Sequence, residues 1–364
     1  MAKIRVLVVD DSVVIRRMLS DCLASDPDLE VVGTAADGHI SLAKIAQLAP
    51  DLVTLDMEMP VMGGIETLKA IRKTHPRLPV IMFSTLTERG AAATLDALSF
   101  GANDYVTKPA NVGSVSVAIQ RIQDELVPKI KALCRRPAVT APRPLVRVLP
   151  STAAAAGGRI DILAIGVSTG GPNALVAMLP ELAVNFPVPV VIVQHMPPLF
   201  TRLLAERISA ISGRRAREGE AGAVLAPGDI WLAPGGFHME VEKDPQGARL
   251  RLHEGPPECS CRPAVDVLFR SVAKVFGNRA LGVVLTGMGQ DGMVGSQHIR
   301  EAGGQILAQD EASSVVWGMP GAVSHAGLAD KVLPLSEIAD EINCRVQAGT
   351  PRYRAVSPLA LPTP

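Results

Sequence analysis

Short β-branched runs alternate with amphipathic runs twice along this chain, first over residues 1–125 and again over residues 160–346. "IRVLVVD", "DLVTLDM" and "PVIMFS" have the length and composition of buried strands. Among them, "VVIRRMLSDCLA", "HISLAKIAQL", "GIETLKAIRKT" and "GAAATLDALSFG" carry apolar residues at helical spacing. Strands that alternate with helices pair in parallel, with the helices crossing over both faces of the sheet. The alternation resumes in "IDILAIGV", "VPVVIVQH" and "RALGVVLTG". The pattern predicts an α/β chain of two doubly wound parallel-sheet domains. A single core seldom extends over 364 residues, which agrees with two domains. Residues 126–159 hold prolines at 128, 137, 142, 144 and 150, several Lys and Arg, and neither an acid nor an aromatic. They read as a linker, and the Pro-rich residues 347–364 read as a loose tail.

Thirty-six basic residues balance thirty-six acidic ones, so no global field draws the chain to nucleic acid or to an anionic membrane. No apolar run is long enough to span a bilayer, and the N-terminus turns acidic too early for a signal peptide. These features, with five scattered cysteines, predict a cytoplasmic protein without membrane insertion. The close pair Cys259 and Cys261 has no second thiol pair or histidine set near it in sequence, so no zinc site is predicted there.

In the first domain Asp10 and Asp11 end the first strand, Asp56 ends another, Ser84 ends "VIMFS" and Lys108 ends "DYVTK". Ligands of open parallel sheets bind at the carboxyl ends of the strands, so these residues share one edge. Crowded carboxylates repel unless a cation joins them, and an all-oxygen set suits Mg²⁺. Strand-end acids can also simply cap the following helices, but an Asp-Asp pair, a central Asp, a Ser and a Lys in this order make more than caps. The stretch resembles a response-regulator receiver domain in "VDDS", "LDMEMPVMGG", "FST" and "YVTKP". The resemblance implies a flavodoxin-like fold, Mg²⁺ at Asp10, Asp11 and Asp56, and phosphorylation of Asp56 by a partner sensor histidine kinase. It also implies switch positions at Ser84 and Tyr105, and a phosphate contact from Lys108. Gly63 stands where that family often has Asp, a departure that bears on a turn and not on the acidic pocket.

The second domain opens with "AIGVSTGGPNAL", which puts Ser168 at a strand-to-helix corner. Ser168 fits a helix cap, part of a phosphate cradle or a nucleophile; the nucleotide-binding glycine patterns are absent. His195 follows another apolar strand and Asp291 lies in a Gly-rich loop after a third, so all three reach one sheet edge. A serine attacks only when a base takes its proton, and a carboxylate that fixes the base's tautomer helps it. The order Ser–His–Asp differs from that of the α/β-hydrolases. His39, His75, His238, His253, His298 and His325 lie in places where a histidine is usually structural or solvated.

From about residue 160 to 346 the chain resembles the catalytic domain of the chemotaxis protein-glutamate methylesterases. The matching stretches are "AIGVSTGGP", "VIVQHMPP", "WLAPGGFHM", "CRPAVDVLF", "LTGMGQDGMVG" and "DEASSVVWGMPGAV". The resemblance implies a Rossmann-like three-layer hydrolase domain with Ser168 as nucleophile, His195 as base and Asp291 as the acid that orients it. No cofactor is implied for the esterase step. Backbone amides of Thr169 and Met288 are the candidate oxyanion donors. The implied substrates are glutamate methyl esters, and glutamines, on the cytoplasmic helices of chemoreceptors. The resemblance further implies that the unphosphorylated receiver covers the active site and that a chemotaxis-type kinase relieves the block. A receiver-regulated methylesterase of another sensory pathway, or a non-catalytic receptor-binding phosphate sink, remains the alternative.

Overall fold

The computed structural model describes residues 2–108, 115–134, 158–245 and 247–348. In the first domain five parallel strands, β1 (Ile4–Val9), β2 (Leu29–Ala35), β3 (Leu52–Asp56), β4 (Val80–Ser84) and β5 (Asp104–Thr107), stand in the order β2-β1-β3-β4-β5. Helices α1 (Val13–Ala24), α2 (Gly38–Leu48), α3 (Gly64–Thr74), α4 (Glu88–Ser99) and α5 (Val115–Cys134) flank them. Side chains alternate across a strand, and the two cores follow that alternation. Val6, Val8, Ile81 and Phe83 pack with α1 and α5, whereas Leu7, Val9, Val53 and Met82 pack with α2, α3 and α4.

The expected linker begins too early. Helix α5 runs through Pro128 to Cys134, and Leu126 and Ile130 are fully buried in the core beside α1. Ile122, Leu126 and Ile130 keep a four-residue apolar spacing, and their burial outweighs the backbone bond that Pro128 forgoes. Residues 135–157 and the expected tail, apart from residues 347 and 348, lie outside the described residues.

The second domain holds seven parallel strands, β6 (Ile162–Val167), β7 (Val190–Gln194), β8 (Ala216–Glu218), β9 (Ile230–Leu232), β12 (Ala280–Val284), β13 (Gln305–Gln309) and β14 (Lys331–Leu333). Their order is β14-β13-β12-β6-β7-β9-β8. An antiparallel hairpin, β10 (His238–Asp244) with β11 (Gly247–His253), stands apart from this sheet. Helices α6 (Gly171–Met178), α7 (Phe200–Ser212) and α11 (Leu335–Ala348) cover one face, packing on Leu163, Ile165, Val190 and Ile192. Helices α8 (Val265–Phe276), α9 (Met293–Glu301) and α10 (Met319–His325) cover the other, packing on Ile162, Ala164, Val191 and Val193. The chain passes from β6 to β7 on one side and returns to β12 on the other, so the winding reverses at β6. Among the described residues no helix is long and apolar enough to cross a membrane.

Helix α4 of the first domain packs against α6 and α7 of the second, and one apolar cluster runs through both domains. The Tyr105 ring lies flat on Phe200, with centroids 4.7 Å apart and planes 6° from parallel.

Candidate active site

The carboxyl end of the first sheet gathers the expected acids. Oxygens of Asp10, Asp11 and Asp56 lie within 4.8 Å of one another, Asp10 and Asp56 buried and Asp11 exposed. Lys108 Nζ stands 2.7 Å from Asp56 Oδ2 and 3.1 Å from Asp10 Oδ2. Burial and the Asp10 carboxylate together push the Asp56 carboxyl up to about 6, against the pull of Lys108. A divalent cation would relieve that crowding, and the all-oxygen set fits Mg²⁺. Ser84 is turned away from the acids: its hydroxyl donates to Gly90 O at 3.2 Å and accepts from Thr94 at 2.7 Å, both on α4. Tyr105 points out of its own domain, onto Phe200.

In the second domain Ser168 follows β6 at the point where the winding reverses, the ligand position of open α/β sheets. Its amide donates to Thr286 O at 3.0 Å, and its carbonyl accepts from Gly171 N and from the Gln194 amide. The turn into α6 needs Gly170 at φ +79°, where a Cβ would meet Val315 at 2.6 Å. Gly287 lets the β12 loop approach, since a Cβ there would lie 2.9 Å from the Cβ of Ser168. Gly170 is the N-cap of α6 and no side chain caps that helix, so Ser168 is not a helix cap.

His195 follows β7, and its Nε2 lies 2.7 Å from Asp291 Oδ2. Asp291 is buried and also accepts the amides of Val265 and Asp266, at 2.7 and 2.8 Å. Burial alone would raise its carboxyl, but His195 and the two amides hold it below the usual carboxylate range. Burial alone would lower His195, but Asp291 and Cys261 on its two ring nitrogens outweigh that and hold the imidazole at about 9. Cys261 Sγ stands 3.6 Å from Nδ1. Ser168 and His195 line one cavity of about 760 Å³ with Thr169, Met288 and Cys261, but the Ser168 hydroxyl is not bonded to His195 here. Catalytic hydrogen bonds often close only in the substrate complex. Among the described residues no hydrogen bond takes the amides of Thr169 or Met288.

The remaining histidines do other work. His238 is buried with Nε2 2.9 Å from Pro256 O, His253 lies beside it, and His325 packs edge-on against Trp317. Several positioning residues had no signal in the sequence. Gln194 is buried behind Ser168, and Asp266 accepts the amides of Gly292 and Gly295 that shape the Asp291 loop. Thr286 fixes the Thr169 carbonyl at 2.9 Å.

The first domain walls this cavity. Leu98, Asp104, Tyr105, Glu125 and Lys129 line it opposite Ser168. Thr169 Oγ1 donates to Asp104 Oδ2 at 2.8 Å, and Asn173 donates to Leu98 O at 2.7 Å. Arg202 pairs with Glu88 at 2.7 Å and Arg207 with Asp96 at 3.0 Å at the rim.

A family model described as "Response regulator receiver domain" matches residues 6–120, and one described as "CheB methylesterase" matches residues 163–342. The chain is 52% identical over 351 residues to a protein of Trichodesmium erythraeum, covering 95% of this chain and 100% of that one. It is 54% identical over 360 residues to a protein of a Nocardioides species, covering 96% and 98%. Both are named protein-glutamate methylesterase/protein-glutamine glutaminase. The crystal structure of the Thermotoga maritima CheB methylesterase catalytic domain matches with a TM-score of 0.50 at 38% identity, covering 52% of this chain and 98% of that one. Two matched domains in this order, over a Ser–His–Asp edge, place the chain in the protein-glutamate methylesterase/protein-glutamine glutaminase family of receiver-linked enzymes.

Proposed function

We propose that this chain removes methyl groups from glutamate esters, and ammonia from glutamines, on the cytoplasmic helices of chemoreceptors, by covalent catalysis at Ser168. The observation that carries the reading is the convergence of Ser168, His195 and Asp291 at the ends of three adjacent parallel strands, with His195 already bonded to Asp291 at 2.7 Å. Because Asp291 holds Nε2, the base nitrogen is Nδ1. As Ser168 Oγ attacks the ester carbonyl, Nδ1 takes its proton and returns it to the leaving methoxide, giving methanol and an acyl-enzyme. Nδ1 then takes a proton from water, the hydroxide attacks the acyl carbon, and Ser168 leaves with the proton. Deamidation follows the same path with ammonia as leaving group. The free amides of Thr169 and Met288 are the donors for the oxyanion.

The receiver regulates this step. Asp56 takes the phosphoryl group from a sensor histidine kinase of the chemotaxis type, and Asp10, Asp11 and Asp56 would hold the Mg²⁺ that neutralises it. In the closed form the Asp104–Thr169 bond and the Tyr105–Phe200 stack keep the first domain against the cavity. Phosphorylation biases a two-state docking of the domains toward the open form.

The test is methanol release from a methylated receptor fragment. Ser168→Ala should lower the rate by about six orders of magnitude with the fold intact. A variant that keeps a tenth or more of the parent rate would remove Ser168 from the mechanism.

A further inference from the structure

We propose that the ledge formed by helices α6 and α7 beside the cavity is the docking surface for an acidic substrate helix, and that α4 of the first domain occupies it by presenting the same charges. The charges around the cavity divide by domain. Asp104, Asp124 and Glu125 line it from the first domain; among the described residues, the second domain's share of the lining holds Arg262 and no acid. The Arg262 guanidinium donates to the carbonyls of Glu254 and Gly255, both at 3.1 Å, and keeps its charge. Two more cations stand at the rim on α7, which begins at Phe200, just past His195 in the chain. Arg202 Nη2 lies 2.7 Å from Glu88 Oε1, and Arg207 Nη1 lies 3.0 Å from Asp96 Oδ1. The two pairs keep the same order along both helices.

Helix α4 shows what kind of element the ledge takes. Glu88, Ala92 and Asp96 recur every four residues, so they share one face, with the two acids about 12 Å apart along the axis. Leu95 and Leu98 of α4 belong to the same apolar cluster as Leu175 of α6 and Phe200 of α7. Asn173 on α6 donates to Leu98 O at 2.7 Å. The ledge thus holds a helix by two guanidinium groups, one amide and an apolar strip. Guanidinium groups match carboxylates in shape as well as in charge.

Both rim pairs are exposed to water, so each contributes little to closure. That weakness suits an exchange. When the domains part, one carboxylate replaces another on each arginine and the charge balance is kept. An acidic helix then lies across the mouth of the cavity, with a side chain free to reach Ser168. Helix α7 carries one acid, Glu206, against these two arginines, so its charge still favours an acidic partner.

The nature of the partner rests on the receptor-helix substrate proposed above, and binding is measured apart from hydrolysis so that the two can fail separately. A fluorescently labelled receptor fragment with unmethylated glutamates is titrated with the full chain, with and without acetyl phosphate and Mg²⁺. Its anisotropy gives the dissociation constant. Arg202→Ala with Arg207→Ala should raise that constant roughly 2- to 30-fold, as the loss of two exposed pairs implies, and less at high salt. Arg202→Glu with Arg207→Glu should raise it further. The reversed charges would repel Glu88 and Asp96 and loosen the receiver, so any indirect effect of opening runs the other way. A fragment with lysines in place of its acids should bind the doubly reversed chain better than the parent. A dissociation constant within about twofold of the parent's in the doubly reversed chain, or no binding by the parent in either condition, overturns the docking surface. A dimer of the phosphorylated chain that the reversal breaks, with no fragment bound, assigns the ledge to α4 of a second copy and overturns it as well. Binding that is lost on reversal, without methanol release from the methylated fragment by the parent, keeps the surface and overturns the esterase reading.

Discussion

If the Tyr105–Phe200 stack holds the receiver over the cavity, removing the Tyr105 ring should turn the enzyme on without phosphorylation. A parallel aromatic pair contributes about 0.5–1.5 kcal/mol beyond area burial. Burying an aromatic side chain contributes roughly 1.5–3 kcal/mol, of which about half falls to the interface because Tyr105 also packs within its own domain. Tyr105→Ala should thus weaken the closed form by about 1.5–3 kcal/mol relative to the open one. That shifts the docking equilibrium roughly 10- to 150-fold. The initial rate of methanol release by the unphosphorylated full chain should rise by up to this factor, capped once the open form dominates. Adding a phosphodonor should then raise the rate by less than it does in the parent. Tyr105→Phe, which keeps the stack, should stay near the parent rate. An unchanged rate in a folded Tyr105→Ala variant, or an equal rise in Tyr105→Phe, would refute the reasoning.

Asp56→Asn should keep the basal rate and lose its response to acetyl phosphate with Mg²⁺, and radiolabel retained in that variant would assign the phosphoryl group to another acid. Gly63 caps α3 in an extended conformation (φ −72°, ψ 170°) with no side-chain bond, and a Cβ there would meet nothing closer than 3.8 Å. Gly63→Asp should therefore stabilise the receiver by about 0.5–1 kcal/mol in a denaturant titration, and a loss of stability would show that the cap cannot form. With His195 held at about 9, the base form appears as pH rises, so kcat/KM should climb from pH 7 to about 9. The same sign governs stability: an imidazole raised by its partners stabilises the fold below its unfolded value of about 6.5, and that contribution is lost as pH rises through about 9. Cys261→Ser should move the kinetic limb down, and an unmoved limb would mean that the thiol does not act on the ring.

What could be read in the sequence is what the strand-end rule reaches. Asp10, Asp56, Ser168, His195 and Asp291 each end a strand or follow one closely, and parallel winding brings such ends to one edge. A single corner such as "GVSTGG" was ambiguous, because a capping serine and an attacking one are written alike; only the glycine N-cap of α6 separates them. Pro128 misplaced the end of the first domain, since proline signals a break locally while Leu126 and Ile130 gain their burial from α1, far away in sequence. The thiol–imidazole contact between Cys261 and His195 and the Asp104–Thr169 bond join residues 66 and 65 apart, and no periodicity carries such information.

Strand β5 explains how one acidic pocket could govern another domain. Lys108, just beyond its carboxyl end, touches Asp10 and Asp56, and Asp104 at its start bonds the residue next to Ser168. Four residue steps of extended chain lead from one to the other, roughly 13 Å. Tyr105 lies between them, and its carbonyl accepts Lys129 Nζ at 2.6 Å while the same ammonium pairs with Asp104 at 3.4 Å. Lys108 already pairs with Asp56 at 2.7 Å, so on the proposed reading a phosphoryl group there would replace that ion pair and change the load on the carboxyl end of β5. The two contacts that hold the receiver at the cavity, the stack on Phe200 and the bond to Thr169, are made by the first two residues of the same strand. The rim pairs Arg202–Glu88 and Arg207–Asp96 are exposed ion pairs of small energy, so they can persist or part without deciding the equilibrium.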